Sequence, residues 1–260
     1  MTLAELSRWI WYAALAVYAV LGWRILRLRL PYRALAVYVL AGLVRGPILL
    51  VFPVQSIAYA WAWALTEPLI IALQVYVVLE ILHMLRAAYP GIGKYGSRTV
   101  SWCWLIAVAG SAVYALLDTH FIAWGRALVL GSFLLKGSTA TLLALTLWTV
   151  LWCVSYLGDD SLAPNLRRHA RIAAGYFSTM AIGWFLAYSG RATGPLVATL
   201  LGFCGLTWHM LWLVLLTRRG ERRPVFELPA PGEDLESAFV AVEAQADLAA
   251  SCAHAVMAPD

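Results

Sequence analysis

Seven long stretches in which charged residues are nearly missing dominate the chain and leave it very few ways to fold. They cover residues 9–26, 34–52, 57–82, 99–117, 128–156, 172–189 and 194–217. A charge at the centre of a bilayer costs about 2.5–3.5 kcal/mol. Crossing a hydrocarbon core of about 30 Å at about 1.5 Å per residue takes roughly 20 residues, so each stretch reads as a membrane span. Within lipid every backbone N–H and C=O must find a partner inside the protein, which leaves helices or a closed barrel. The short alternating strands of a barrel are missing. The expected fold is therefore all-α, a polytopic seven-transmembrane-helix bundle over residues 1–218 followed by an acidic cytoplasmic tail over 219–260. Composition agrees, because 62% of the 260 residues are hydrophobic and 13% charged, against roughly 45–50% and 25% in soluble domains. An ordinary soluble domain is excluded.

The basic residues set an orientation. Of the 19 Lys and Arg, fourteen fall in the connections after spans 1, 3 and 5 and after span 7, among them Arg24, Arg33, Arg86, Lys94, Arg167, Arg168 and Arg218. The opposite side holds Arg8, Arg126 and Arg191. Positive charge collects on the cytoplasmic side, so the N-terminus is expected outside and the C-terminus inside. The net charge of +5 then reflects anchoring to anionic lipid and not a nucleic-acid footprint. The first apolar run precedes its basic cluster, which predicts a retained span and not a cleaved leader. Past Arg223 the chain turns acidic, and Leu235, Phe239, Val242 and Ala246 recur at helical spacing. A short amphipathic helix is expected there, facing the basic loops or a protein partner.

Apart from Arg24 and Glu80, which fall within three residues of a span end, three charges lie inside the spans: Arg45, Glu67 and Lys136. Intramembrane ionisable residues are functional candidates by default. Spans 2 and 3 are joined by a short turn around Pro53, which makes them antiparallel neighbours. At helical rise Arg45 lies roughly 12 Å and Glu67 roughly 15 Å from that turn, so the two stand at matching depth and can pair. Lys136 reaches the same level if span 5 starts near Leu128. If that span instead starts at Gly137, residues 121–135 lie at the interface and Lys136 snorkels to the headgroups. Gln74 is seven residues beyond Glu67 and shares its face, and Pro68 frees backbone carbonyls one turn earlier. Arg45, Glu67, Gln74 and Lys136 are thus the candidate ligand-binding residues, set against a purely structural ion pair or triad that fixes helix register.

Other features read as architecture. Gly42 and Gly46 form GxxxG, which allows close helix approach. Ser138, Thr139, Thr141, Tyr176, Ser178 and Thr179 supply hydroxyls that bond their own helices or line the interior. His209 is the one histidine well inside a span and reads as a hydrogen-bonded interior residue; His83, His120 and His169 sit near span ends. No bis-His haem pair, CxxCH or HExxH is legible, so no cofactor or metal is expected. Gly91, Gly93 and Gly96 spell GxGxxG but follow a membrane helix and no strand, and predict a cytoplasmic loop with Ser97 capping span 4. Cys103, Cys153, Cys204 and Cys252 form no CxxC pair and read as free thiols. Tyr59, Trp61, Trp63, Trp102, Trp104, Trp124 and Trp152 suit interface belts. Trp184, Trp208 and Trp212 lie deeper and are the candidates for stacking on a ligand.

Topology alone links the chain to rhodopsins and G-protein-coupled receptors, since the last span has no lysine and the receptor motifs are missing. Through Thr66-Glu67-Pro68-Leu69, the run Val77 to Leu82 with Glu80, and Tyr89-Pro90-Gly91-Ile92, it resembles a loose group of uncharacterised bacterial seven-helix integral membrane proteins. That resemblance implies a multi-pass protein of the bacterial plasma (inner) membrane and carries no activity. Two functions are expected to compete: a small sensor or ligand-binding protein with an intramembrane polar site, and an accessory or scaffold subunit whose charges are structural. The expected partners are the lipid bilayer and a cytoplasmic or membrane protein. No enzyme constellation is legible.

Overall fold

The computed structural model describes residues 2–28, 30–53, 56–86, 89–118, 124–156, 163–188, 194–217 and Gly220. Among them are seven α-helices and no strand: α1 (Leu3–Arg27), α2 (Arg33–Val51), α3 (Ile57–Arg86), α4 (Pro90–Asp118), α5 (Trp124–Tyr156), α6 (Pro164–Tyr188) and α7 (Gly194–Leu215). Each contains or overlaps one of the seven apolar stretches. Among the described residues four segments are long and apolar enough to cross a membrane, Glu5–Leu28, Arg33–Val51, Ile57–Arg86 and Gly131–Tyr156. The chain is a membrane-embedded helical protein.

Helices adjacent in sequence are adjacent in space, and α7 closes back on α1 to complete a ring. α3 also touches α5 and α6, which makes it the inner helix. Val75, Val78, Ile81 and Leu82 of α3 are buried accordingly. The ring is apolar on its outside, where Val44, Leu65, Ile106, Trp152 and Phe203 stand exposed, and its buried residues include Glu67, Gln74, Thr139, Asn165, His169 and His209. A water-soluble protein shows the opposite arrangement. Hydrocarbon is the solvent such an exterior fits.

Helix starts follow local chemistry. Thr2 and Glu5 form a reciprocal capping box, the Thr2 side chain accepting from Glu5 N at 3.3 Å and the Glu5 carboxylate from Thr2 N at 2.7 Å, so α1 begins well before the apolar run. α2 has no side-chain cap of its own at Tyr32. Glu80 of α3 supplies one: its Oε1 accepts from Ala34 N at 2.9 Å. A carboxylate there meets the positive end of the helix dipole. α4 begins at Pro90, whose fixed φ suits the first helical position. This corrects the expected loop, because Gly91, Gly93 and Gly96 lie inside α4. Ser97 is also inside α4 and caps nothing at its start; its carbonyl accepts from Ser101 Oγ at 2.9 Å.

The C-terminal end of α7 is capped by other helices. Arg24 of α1 donates to Leu216 O at 3.0 Å and Arg168 of α6 to Leu215 O at 3.2 Å, while Asn165 of α6 donates to Thr217 O at 2.5 Å. Cations and amide donors at this end satisfy carbonyls that have no partner within the helix. α5 runs unbroken from Trp124, so residues 124–135 belong to it and Lys136 lies in its middle third. The expected tail at 219–260 falls, apart from Gly220, outside the described residues.

Small residues set the helix spacing. Gly42 and Gly46 face Tyr18 and Leu15 of α1, and Gly183 faces Leu201. Gly175 of α6 lies under the indole of Trp208, which is itself held by a 3.0 Å bond from its Nε1 to Thr179 Oγ1. A methyl at Gly175 meets a ring that cannot swing away. Gly175→Ala is expected to lower stability by about 1–3 kcal/mol, and adding Trp208→Leu is expected to recover part of that loss, as read by thermal unfolding in a mild detergent.

Candidate functional site

Glu67 on α3 gathers the other two intramembrane charges. Its Oε2 pairs with Arg45 Nη2 from α2, and its Oε1 pairs with Lys136 Nζ from α5. The carboxylate side chain is 0% exposed, while those of Arg45 and Lys136 retain 15% and 16%. Each carboxylate oxygen thus faces a cation from a different helix, which offsets the desolvation of a buried charge. The triad brings Lys136, half-buried, against the carboxylate of Glu67.

Prolines prepare both neighbouring helices for these charges. Pro68 has no N–H for the carbonyl of Ala64, and Pro47, two residues past Arg45, has none for that of Leu43. Thr66 is the polar residue sequence reasoning passed over. Its Oγ1 accepts from Arg45 Nε at 2.8 Å and donates to Ala62 O at 2.7 Å, so the guanidinium is held by two adjacent residues of α3. Adjacency to Glu67 was the available signal.

Aromatic rings surround the lysine. Lys136 Nζ lies 4.9 Å from the Trp184 ring centroid and 5.9 Å from that of Trp63. Phe133 bridges the two indoles at 4.9 and 5.1 Å. A cation over indole faces gains electrostatic attraction that strengthens on desolvation. Trp63, expected in an interface belt, stands one turn before Glu67 and borders the site. Phe133, one turn before Lys136, was also missed. Trp61, Trp102 and Trp152 do face outward.

Gln74 belongs to a second polar layer. Seven residues place it on the Glu67 face but two turns further along α3, about 10 Å away. There its Nε2 donates to the Tyr176 hydroxyl at 3.1 Å, and that hydroxyl lies 2.9 Å from the Tyr38 hydroxyl. His209 sits among the rings of Tyr18, Tyr38, Tyr176 and Trp212, with centroids 4.6 to 5.9 Å away. Its Nδ1 is 2.6 Å from Gly205 O; a carbonyl only accepts, so the proton is on Nδ1. His169, fully buried, accepts the indole N–H of Trp212 on its own Nδ1 at 2.9 Å. Its proton is on Nε2.

The remaining candidates divide clearly. Ser138, Thr141 and Ser178 bond carbonyls of their own helices, and Ser178 also accepts the indole N–H of Trp148. Thr179 bonds its own helix and holds Trp208. Of the three deep tryptophans only Trp184 lines the charged site, because Trp208 fills the space over Gly175 and Trp212 is bound to His169. Cys103, Cys153 and Cys204 are free thiols, while Cys252 and His120 lie outside the described residues. Among the described residues no group of three or more His, Cys, Asp and Glu could hold a metal ion. No protein-family model, curated protein or solved structure matches the chain.

The two cations are unequal to the loss of their shared anion. Glu67→Gln leaves both without a counter-charge and is expected to cost about 3–5 kcal/mol. Lys136→Met leaves the Arg45 pair intact and is expected to cost less, and the Glu67→Gln, Lys136→Met double variant to be more stable than Glu67→Gln alone. Thermal unfolding of the four proteins checks this order.

Proposed function

We propose that the chain is a small seven-helix sensor or ligand-binding protein of the bacterial inner membrane, with its binding site at Arg45, Glu67 and Lys136. The observation that carries this reading is the convergence of three helices on one buried carboxylate whose cationic partners stay partly open. Because α3 is the inner helix, a ligand that changed how the triad shares its charges would act on α2, α3 and α5 together. Those elements give a binding event a route to the rest of the ring.

The reading includes seven crossings, with the N-terminus outside and the C-terminus in the cytoplasm. Support comes from the shared end of the bundle at which Arg24, Arg168, Asn165 and Glu80 cap helix termini. Basic residues that anchor the cytoplasmic face would there also close the helix ends. Residues 219–260 would then lie in the cytoplasm and pass the signal to a protein partner.

One observation favours the competing reading, a scaffold subunit with structural charges. Both oxygens of Glu67 are already occupied by this chain's own cations. Native mass spectrometry in a mild detergent separates the two. A reproducible small-molecule adduct on the wild type, lost in Glu67→Gln, is expected for the ligand-binding protein; a chain that carries only bulk lipid or a second protein would favour the scaffold.

A further inference from the structure

We infer that the ligand of the triad is a small monovalent anion of the carboxylate class, taken up beside Lys136. This rests on the reading of the triad as a ligand site. Two cations share one carboxylate, which leaves one positive charge uncompensated where hydrocarbon surrounds the bundle. An uncompensated charge in such a place is expensive, and a bound anion removes the imbalance. A cationic ligand would add to it.

The hydrogen-bonding groups around Lys136 agree with the charge count. Trp184 Nε1 can only donate, is buried and has no hydrogen-bond partner among the described residues. The same indole borders Lys136, and its Cβ lies close to Gly137, the next residue of α5. Thr139, three residues past Lys136 and so on its face of α5, is buried with its hydroxyl also unpartnered among the described residues. Lys136 itself has three N–H groups and Glu67 as its only ion-pair partner among the described residues. The buried indole N–H of Trp184 is thus a donor in want of an acceptor, and the Thr139 hydroxyl on the α5 face can donate as well as accept. A carboxylate supplies acceptors and no donor, and the rings of Trp63, Phe133 and Trp184 suit a short apolar body attached to it.

The test is thermal unfolding of the full chain in a neutral detergent, titrated with sodium acetate and sodium benzoate against sodium sulfate at fixed ionic strength. The two carboxylates are expected to raise the midpoint saturably by roughly 5 °C, and sulfate is not. The shift is expected to vanish in Lys136→Met, which keeps the Arg45–Glu67 pair. Trp184→Phe, which keeps the ring and removes the N–H, is expected to weaken the apparent affinity about tenfold. Should Lys136→Met fail to fold, Trp184→Phe decides, and an unchanged affinity there overturns the assignment. An equal shift with sulfate, or one that persists in Lys136→Met, overturns it as well. A neutral or cationic adduct in native mass spectrometry, lost in Glu67→Gln and accompanied by no carboxylate shift, overturns the anion and leaves the ligand site standing. No adduct and no salt-specific shift overturns both. A fatty-acid mass on the purified protein would support a carboxylate drawn from lipid, and a shift only with added acetate or benzoate one drawn from water.

Discussion

A carboxylate sealed inside a membrane bundle needs positive charge within reach, and for Glu67 that charge comes from two other helices. The need dictates much of the architecture. α3 must run inside the ring so that α2 and α5 can both present a cation to it. Arg45 must lie at the depth of Glu67, and α5 must continue inward past Trp124 to bring Lys136 down to the same level. Pro47 and Pro68 loosen the two helices beside the charges, where a straight hydrogen-bonded ladder would resist local adjustment. Thr66 then steadies the guanidinium.

A second constraint acts at the helix ends. The last N–H and C=O groups of a helix have no partner within it. Here side chains from one helix close the end of another: Glu80 of α3 for the start of α2, and Arg24, Asn165 and Arg168 for the end of α7. Arg24 and Arg168, which in the sequence read only as loop charge, thus have a duty in packing. Gly220 belongs to the same arrangement, since a Cβ there would run into the Asn165 amide.

The positions of the helices could be read from charge-free length, because hydrocarbon enforces that signal residue by residue. Their ends could not, because caps act over one turn and use residues that look like loop. Pro90 opening α4 through three glycines, and Thr2 with Glu5 extending α1, are both cases of local chemistry reaching past the apolar run. The Arg45–Glu67 pair was legible because a short turn ties the two depths together. Lys136 was legible only as an alternative, since no short turn links α5 to α3. Gln74 illustrates the limit of face arguments: two turns along a helix is the same direction but a different layer, and Tyr38 and Tyr176 claim it there. Trp63 and Phe133 could not be told from lipid-facing aromatics without knowing which side of each helix turns inward.

The closure of the ring joins residues separated by 192 positions, Arg24 and Leu216. Synthesis proceeds from the N-terminus, so α1 is made first and its neighbour α7 last. Until α7 arrives, the side of α1 that carries Ile10, packed in the finished protein against Gly202, has only lipid or another protein to face. Closure of the ring therefore waits for α7, and until it is made that side of α1 is an open seam.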